Sequence, residues 1–230
     1  MMNSILNSPL FGIGLCILTF EIGLLLYRRT LIPIFNPILI SISLISLIML
    51  GFNIDLAKFE TGGKIISAFL GPATVILAVP LYNQLEVIKK NLLSIFLGII
   101  SGCFASAFSV LLLSKFFKLT DKLTFTLLPK SITTPIGMEL SKQLGGFESL
   151  TVISLIVTGI FGAVFSPMVL KLFKIHDPIA KGIAIGTSSH AVGTSKALEM
   201  GEIEGAMSSL SIGIAGLLTV FIVPLVLRLF

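Results

Sequence analysis

The chain has 230 residues, of which 55% are hydrophobic and only 12% are charged. Soluble domains carry about 25% charged residues, so this composition excludes an ordinary water-facing surface and predicts a membrane protein. The net charge of +5 comes from basic residues at the ends of apolar runs, without the basic stripe or interleaved aromatics of a nucleic-acid-binding protein. Cys16 and Cys103 lie within apolar runs and have no metal-ligand spacing, so no disulfide, metal or cofactor is expected.

Eight apolar segments follow one another along the chain, most of them close to the ~20 residues that a helix needs to cross a bilayer. In chain order they cover approximately residues 9–27, 33–51, 65–82, 92–117, 123–143, 150–173, 179–199 and 206–230. None shows the alternation of a transmembrane barrel strand. The sequence therefore predicts an all-α polytopic membrane protein with a single transmembrane domain over residues 1–230. The first segment is interpreted as a membrane helix, because it lacks the flanks of a signal peptide.

Three of the eight segments contain residues that interrupt a continuous membrane helix. Breaks are expected near Pro72 in the third segment, Thr134 in the fifth and Gly193 in the seventh. Backbone that leaves the helix at membrane depth is tolerated only where protein or a water-filled cavity surrounds it. Interrupted segments of this kind form the binding sites of transporters, so these positions indicate a site.

An internal repeat is also predicted. Shifting the chain by 115 residues superposes the first run on the fifth and the third on the seventh, giving halves 1–115 and 116–230. Identity between the halves is otherwise very low, and chance alignment is the alternative. The repeat would be inverted if the third and seventh segments enter and return, and parallel if they cross. The basic residues beside the runs leave the membrane orientation open.

The fifth segment contains a helix start in its middle. Thr134 suits the cap position and Pro135 the first helical turn, while Gly145 suits the end, so a short helix of about ten residues is predicted. The unpaired N–H groups and partial positive charge of such a helix start favour an anion such as a carboxylate. Lys130 adds a full positive charge nearby. The alternative is a proline-kinked helix that binds nothing.

The seventh segment is polar in its middle, from Gly186 to Lys196. Its hydroxyl residues and freed backbone groups suit the lining of a polar cavity. His190 is the only histidine in an apolar setting, and it titrates near neutral pH unless perturbed, so it is a candidate for moving a proton during transport. A packing role for this histidine is the alternative. The ends of the fifth and seventh segments are expected to approach each other and to bring Thr133 and Thr134 near His190 and Thr194, with Thr134 within about 15 Å of His190.

Charged residues within membrane segments are costly and mark functional positions by default. Glu139 and Glu199 are further proton-coupling candidates, although Glu139 could simply pair with Lys142 and Glu199 could lie in a solvated loop. The predicted substrate-binding residues are Lys130, Ser131, Thr133, Thr134, Ser189, His190, Thr194 and Lys196. No nucleophile elbow, phosphate loop or metal motif is present, so the chain is not expected to be an enzyme.

Three stretches resemble the LrgB/CidB family: Leu127 to Gly146, Gly186 to Thr219 and Phe69 to Tyr82. The resemblance implies a multi-pass protein of the bacterial inner membrane that works with a smaller four-helix partner of the LrgA/CidA type, as a homo- or hetero-oligomer. The family was named antiholin-like, for a proposed control of murein hydrolase export and autolysis. Its plastid relatives move glycolate and glycerate, and some bacterial relatives are implicated in pyruvate uptake.

Two functions follow as expectations. The first is a transporter subunit for small monocarboxylates such as pyruvate, glycolate or glycerate, coupled to protons. The alternative is an antiholin-like or holin-like regulator of murein hydrolase activity and autolysis. The interrupted segments favour the transporter, because a regulator that acts by assembly needs no central polar site.

Overall fold

The computed structural model describes residues 6, 8–30, 35–76 and 78–229, and the elements within them are all α-helices. They are α1 (Pro9–Thr30), α2 (Pro37–Gly51), α3 (Leu56–Ala68), α4 (Leu70–Ile76), α5 (Ala78–Asn83), α6 (Leu85–Lys90), α7 (Leu92–Phe116), α8 (Asp121–Leu127), α9 (Thr134–Leu144), α10 (Glu148–Leu172), α11 (Pro178–Met200) and α12 (Glu202–Leu227). By length and composition, α1, α7, α10 and α12 could each cross a membrane. The predicted all-α class is confirmed, whereas eight separate membrane segments are not.

The chain divides into two compact units, Met1–Ile76 and Leu77–Phe230. In the first unit, α1 and α3 cross where Gly12 lies against Gly62, so closely that a Cβ on either glycine would overlap backbone of the other helix. The hydroxyls of Thr19 and Ser41 join α1 to α2 at 2.7 Å. Small residues and interhelical hydroxyl bonds are the usual means of packing helices in lipid.

The third apolar segment is interrupted as predicted, but at a different residue. Helix α3 ends at Ala68, and α4 begins at Leu70, so the break lies at Phe69. Pro72 lies within the first turn of α4, where its missing N–H removes no helical hydrogen bond. The proline therefore starts a new helix, and the interruption precedes it by three residues.

The fifth segment is a hairpin. The Phe147 N–H donates to Thr126 Oγ1 at 2.8 Å, and Lys122 Nζ lies 4.1 Å from the centroid of the Phe147 ring. In one continuous helix, Thr126 and Phe147 would be about 31 Å apart. Helices α8 and α9 therefore run in opposite directions, and we call residues 121–144 the first hairpin, with its tip at residues 128–133.

Thr151 of α10 holds the base of the first hairpin together. Its fully buried hydroxyl lies 2.7 Å from Ser141 Oγ and 3.0 Å from the Thr126 carbonyl oxygen. We expect Thr151→Val to destabilise the protein by about 1–3 kcal/mol, because it leaves buried polar groups unpaired. Ser154→Ala is the matched control, since the Ser154 hydroxyl donates within α10, to the Thr151 carbonyl. Equal shifts in thermal unfolding midpoint for the two variants in detergent would contradict this role.

The seventh segment is a second hairpin. A Cβ on Gly182 would lie 2.5 Å from the Glu204 carbonyl oxygen, and one on Gly205 would lie 3.1 Å from Leu198 Cα. Gly182 and Leu198 thus both reach the first turn of α12, although a continuous helix would separate them by about 24 Å. The reversal is at His190, whose φ of 41° and ψ of −143° are non-helical. Residues 178–200 are the second hairpin.

The break predicted near Gly193 is confirmed, and the turn itself lies three residues earlier, at His190. A Cβ on Gly193 would lie 2.5 Å from Ser189 Cβ and 3.0 Å from Ile185 Cγ2, both on the other arm of the second hairpin. Gly193 lets the two arms approach each other, and His190 makes the turn. Gly193 thus correctly indicated that the seventh segment is interrupted, although its own role is in packing.

The two hairpins enter the second unit from opposite ends of its long helices. Only a short link joins Phe116, the end of α7, to Asp121 at the base of the first hairpin. Helix α10 starts beside that base and ends at Leu172, and the second hairpin starts from the opposite end at Pro178. Both tips thus lie near the middle of the long helices.

The predicted repeat with halves 1–115 and 116–230 is not confirmed. The first segment forms one continuous helix of 22 residues, whereas the fifth, on which it would superpose, folds back as a hairpin. Lysines lie at both ends of the long helices of the second unit. One end carries Lys89, Lys90, Lys171 and Lys174, and the other carries Lys115, Lys118, Lys122 and Lys142.

Candidate functional site

The tip of the first hairpin contains a lysine and a buried serine. Lys130 Nζ donates to Ser131 Oγ at 3.2 Å, and Ser131 Oγ lies 3.1 Å from Ser106 Oγ of α7. Ser131 therefore connects Lys130 to Ser106 of α7. Ser106 is near the middle of its 25-residue helix, so the tip reaches the centre of the bundle.

The short helix predicted after this tip is confirmed. Helix α9 has 11 residues, starts at Thr134 and ends before Gly145, whose φ of 85° is left-handed. Thr133, rather than the predicted Thr134, is the N-cap residue, and its side chain makes no capping bond. The first N–H groups of α9 therefore lack a side-chain cap from Thr133 at this helix start.

The tip of the second hairpin is held by α10. His190 Nε2 donates to the Leu155 carbonyl oxygen at 2.7 Å. Its ring lies on Gly159, where a Cβ would be 2.6 Å from the ring carbon Cε1, and Ser189 occupies the space that a side chain on Gly162 would take. Two glycines three residues apart on α10 thus leave the space that His190 and Ser189 occupy.

The two tips approach the same residue of α10. A Cβ on Gly137, in the first turns of α9, would be 3.0 Å from Leu155 Cδ1, and the Leu155 carbonyl accepts the His190 hydrogen bond. The start of α9 and His190 are therefore both next to Leu155. This supports the expected proximity of Thr134 and His190.

A small enclosed cavity lies where the tips meet the long helices. Its volume is about 10 Å³, which is room for about one water-sized group. Its polar lining comes from four different parts of the second unit: Cys103 and Ser106 of α7, Ser131 of the first tip, Thr187 of the second hairpin and Thr219 of α12. We call it the hydroxyl cavity.

A groove of about 650 Å³ runs between α7 and the second hairpin. It extends from Asn91 and Asp177, at the base of the second hairpin, to Thr187. Thr187 also lines the hydroxyl cavity, and its Oγ1 would be 3.0 Å from a Cβ on Gly102 of α7. Thr187 is therefore the partition between the groove and the cavity.

Three of the predicted site residues lie away from the tips. Lys196 and Glu199 form an ion pair of 2.8 Å on the returning arm of the second hairpin, about 9 Å and 13 Å along the helix from His190. Glu139 is exposed on α9 and accepts from Gln143 Nε2 at 3.0 Å. Thr194 lies beside the second tip: its hydroxyl donates to the His190 carbonyl oxygen at 3.0 Å and is 2.7 Å from Ser208 Oγ of α12.

Most of the residues that line the hydroxyl cavity were not predicted from the sequence. A second internal repeat, with a shorter offset, indicates two of them. Pro167–Phe173 reads PMVLKLF and Pro224–Phe230 reads PLVLRLF, at an offset of 57 residues (224 − 167), and each stretch is near the end of the long helix after a hairpin. Near this offset, at 56 residues, Ser131 corresponds to Thr187. Both line the cavity.

The described part of the chain is thus a helical membrane protein in which two opposed hairpins meet at a polar centre. The LrgB-like family model matches residues 16–229, so the chain belongs to the LrgB family. It is 37% identical to the antiholin-like protein LrgB of Bacillus subtilis (strain 168), over 96% of both chains.

Two further relatives agree with this assignment. The chain is 33% identical to the antiholin-like protein LrgB of Bacillus cereus (strain B4264) over 95% of both chains. It is 39% identical to the protein YxaC of Bacillus subtilis (strain 168) over 89% of both chains. No solved structure matches the chain. Two of these three relatives are named antiholin-like.

Proposed function

We propose that this protein is a multi-pass subunit of the bacterial inner membrane that moves small monocarboxylates such as pyruvate, glycolate or glycerate. One observation carries the proposal: two hairpins enter from opposite ends of the long helices, and their tips meet at a polar cavity. Irregular backbone inside a bilayer is costly unless protein buries it or it lines a water-filled cavity, and broken helices are typical of transporter binding sites.

The charge at the first tip favours an anion. The N-terminus of α9 carries a partial positive charge that stabilises a carboxylate by up to about 2 kcal/mol in a partly buried setting. Lys130 adds a full charge beside Ser131, and hydrogen bonds to a charged group are roughly twice as strong as neutral ones. A small monocarboxylate fits this combination.

A second function is favoured by the family. Relatives at 33–37% identity are named antiholin-like, and this supports a regulator of murein hydrolase activity and autolysis better than it supports a carrier. Both functions would use a smaller four-helix partner of the LrgA/CidA type and assembly into oligomers. A regulator that acts by assembly alone would not need the substrate site.

Uptake into proteoliposomes separates the two functions. We expect protein reconstituted with and without the four-helix partner to take up labelled pyruvate or glycolate. We expect Lys130→Ala to lower uptake about tenfold or more, because a charge-assisted bond to the carboxylate is lost. Lys142→Ala is the matched control, since Lys142 is exposed in the last turn of α9.

Two results would contradict the proposed carrier or its site. If neither preparation takes up either acid, while deletion of the protein changes murein hydrolase activity in cells, the antiholin-like function holds and the carrier does not. If Lys130→Ala and Lys142→Ala transport alike, the carboxylate does not bind at the first tip.

A further inference from the structure

The hydroxyl cavity combines a hydrogen-bond donor with a hydrogen-bond acceptor. Thr187 Oγ1 donates to the Ile183 carbonyl oxygen at 2.7 Å, so its single hydrogen is used within its own helix. The Thr187 oxygen therefore presents its lone pairs to the cavity and acts there as an acceptor.

Ser106 has the opposite role. Lys130 Nζ donates to Ser131 Oγ, and Ser131 in turn is within 3.1 Å of Ser106 Oγ. An ammonium group has no lone pair, so Lys130 donates to Ser131, whereas either hydroxyl can donate in the bond between Ser131 and Ser106. When Ser131 donates to Ser106, the Ser106 hydrogen is left to be donated into the cavity. The positive charge of Lys130 polarises the same chain and strengthens that donor.

We propose that Ser106 and Thr187 bind one oxygen that both accepts and donates a hydrogen bond, and that they thereby select a hydroxy acid over the matching oxo acid. This inference rests on the proposed function. The cavity of about 10 Å³ has room for a single oxygen, and a hydroxyl oxygen satisfies both partners. A keto oxygen accepts from Ser106 but leaves Thr187 without a donor.

A metal cation fits this cavity less well. Its four hydroxyls resemble the oxygen ligands of an alkali ion, but Lys130 lies one hydroxyl away from the cavity. In the low dielectric of a membrane protein, that like charge opposes a bound cation.

Lactate and pyruvate form a matched pair of probes, because they differ only in a hydroxyl or keto oxygen on the second carbon. We expect the purified full-length protein in detergent to bind labelled lactate about tenfold more tightly than pyruvate at equilibrium. Sites built to bind a substrate hydroxyl reject the analogue that lacks it, because a buried polar group is then left unpaired.

Ser106→Ala and Thr187→Val should each bring the lactate-to-pyruvate affinity ratio close to one. Thr187→Val keeps the shape of the side chain, and Thr187→Ser, which keeps the hydroxyl, should retain the selectivity and provides a second variant if the valine protein does not fold. Ser109→Ala is the matched control, since the Ser109 hydroxyl donates within α7 to the Ser106 carbonyl and does not line the cavity.

Three results would overturn the proposal: equal affinity of the unmodified protein for both acids, no binding of either acid, or an unchanged ratio in Ser106→Ala and Thr187→Val. Tighter binding of ²²Na⁺ in Lys130→Gln, lost again on adding Ser106→Ala, would assign the cavity to a cation instead. Because binding is measured without transport, selective binding with no uptake contradicts the proposed carrier and leaves this inference standing. Uptake by a protein that binds both acids equally supports the proposed carrier and contradicts this inference.

Discussion

Gly186→Ala is expected to destabilise the protein by about 1–3 kcal/mol or more, the cost of overpacking a well-packed core. A Cβ on Gly186 would overlap the Ser208 carbonyl oxygen and lie 2.8 Å from Ser208 Cα, so it meets backbone that no side-chain rotation can clear. Helix α11 would have to move away from α12. The effect should appear although alanine has the higher helix propensity, by about 1 kcal/mol.

The consequence should extend to the second tip. Ser208 contacts both arms of the second hairpin: its backbone lies against Gly186, and its hydroxyl bonds Thr194 Oγ1 at 2.7 Å. Pushing one arm away therefore strains the bond to the other arm. We expect a lower thermal unfolding midpoint in detergent together with a loss of carboxylate uptake.

Gly213→Ala is the matched control for this experiment. Gly213 lies on α12, and nothing is within 4 Å of the position of its Cβ, so alanine there should leave the midpoint unchanged or raise it. If Gly186→Ala and Gly213→Ala shift the midpoint equally, the close contact between α11 and α12 does not control stability.

The local features of the site could be predicted from the sequence. Pro135 favours the start of a helix through its fixed φ, and Gly145 ends the helix through its left-handed φ. Each of these signals acts over a few neighbouring residues. For this reason α9 was found with its start displaced by only one residue.

The two chain reversals could not be predicted in this way. The residues of segment 178–200 favour a helix, so its sequence predicts one interrupted helix. No signal among neighbouring residues indicates that both arms pack on the same end of α12. The turn falls on His190 because Gly159 and Gly162 of α10 provide space for it and for Ser189. That space depends on a helix about 30 residues away.

The hydroxyl cavity was missed for a similar reason. Ser106 and Thr219 lie inside long apolar runs, where single hydroxyl residues are common and usually bond their own helix. Only their positions beside the two tips give them a role. The offset of 56–57 residues, which relates Ser131 to Thr187, was the one signal in the sequence that links the two hairpins.

Replacement of His190 is expected to flatten the dependence of uptake on pH. The Leu155 carbonyl accepts from Nε2, so Nε2 keeps its hydrogen and the exchangeable proton belongs to Nδ1. Neutral and protonated rings can both make the bond to Leu155. The ring can therefore change its charge beside the proposed carboxylate without releasing the tip of the second hairpin, which suits a proton-coupling residue.

The backbone and the ring of His190 can be tested separately. Its φ of 41° lies where a non-glycine residue costs about 1–3 kcal/mol, so His190→Gly should unfold at a higher temperature than His190→Ala. Both variants lack the ring and should show the same flattened curve of uptake rate against pH. His190→Gln, whose amide can still donate to the Leu155 carbonyl, should keep more stability and also lose the pH dependence.

If all three variants retain the curve of the unmodified protein, His190 is a packing residue. Coupling would then fall to Glu139, to Glu199 or to no side chain, although both carboxylates lie on the hairpin arms, where Glu139 bonds Gln143 and Glu199 pairs with Lys196.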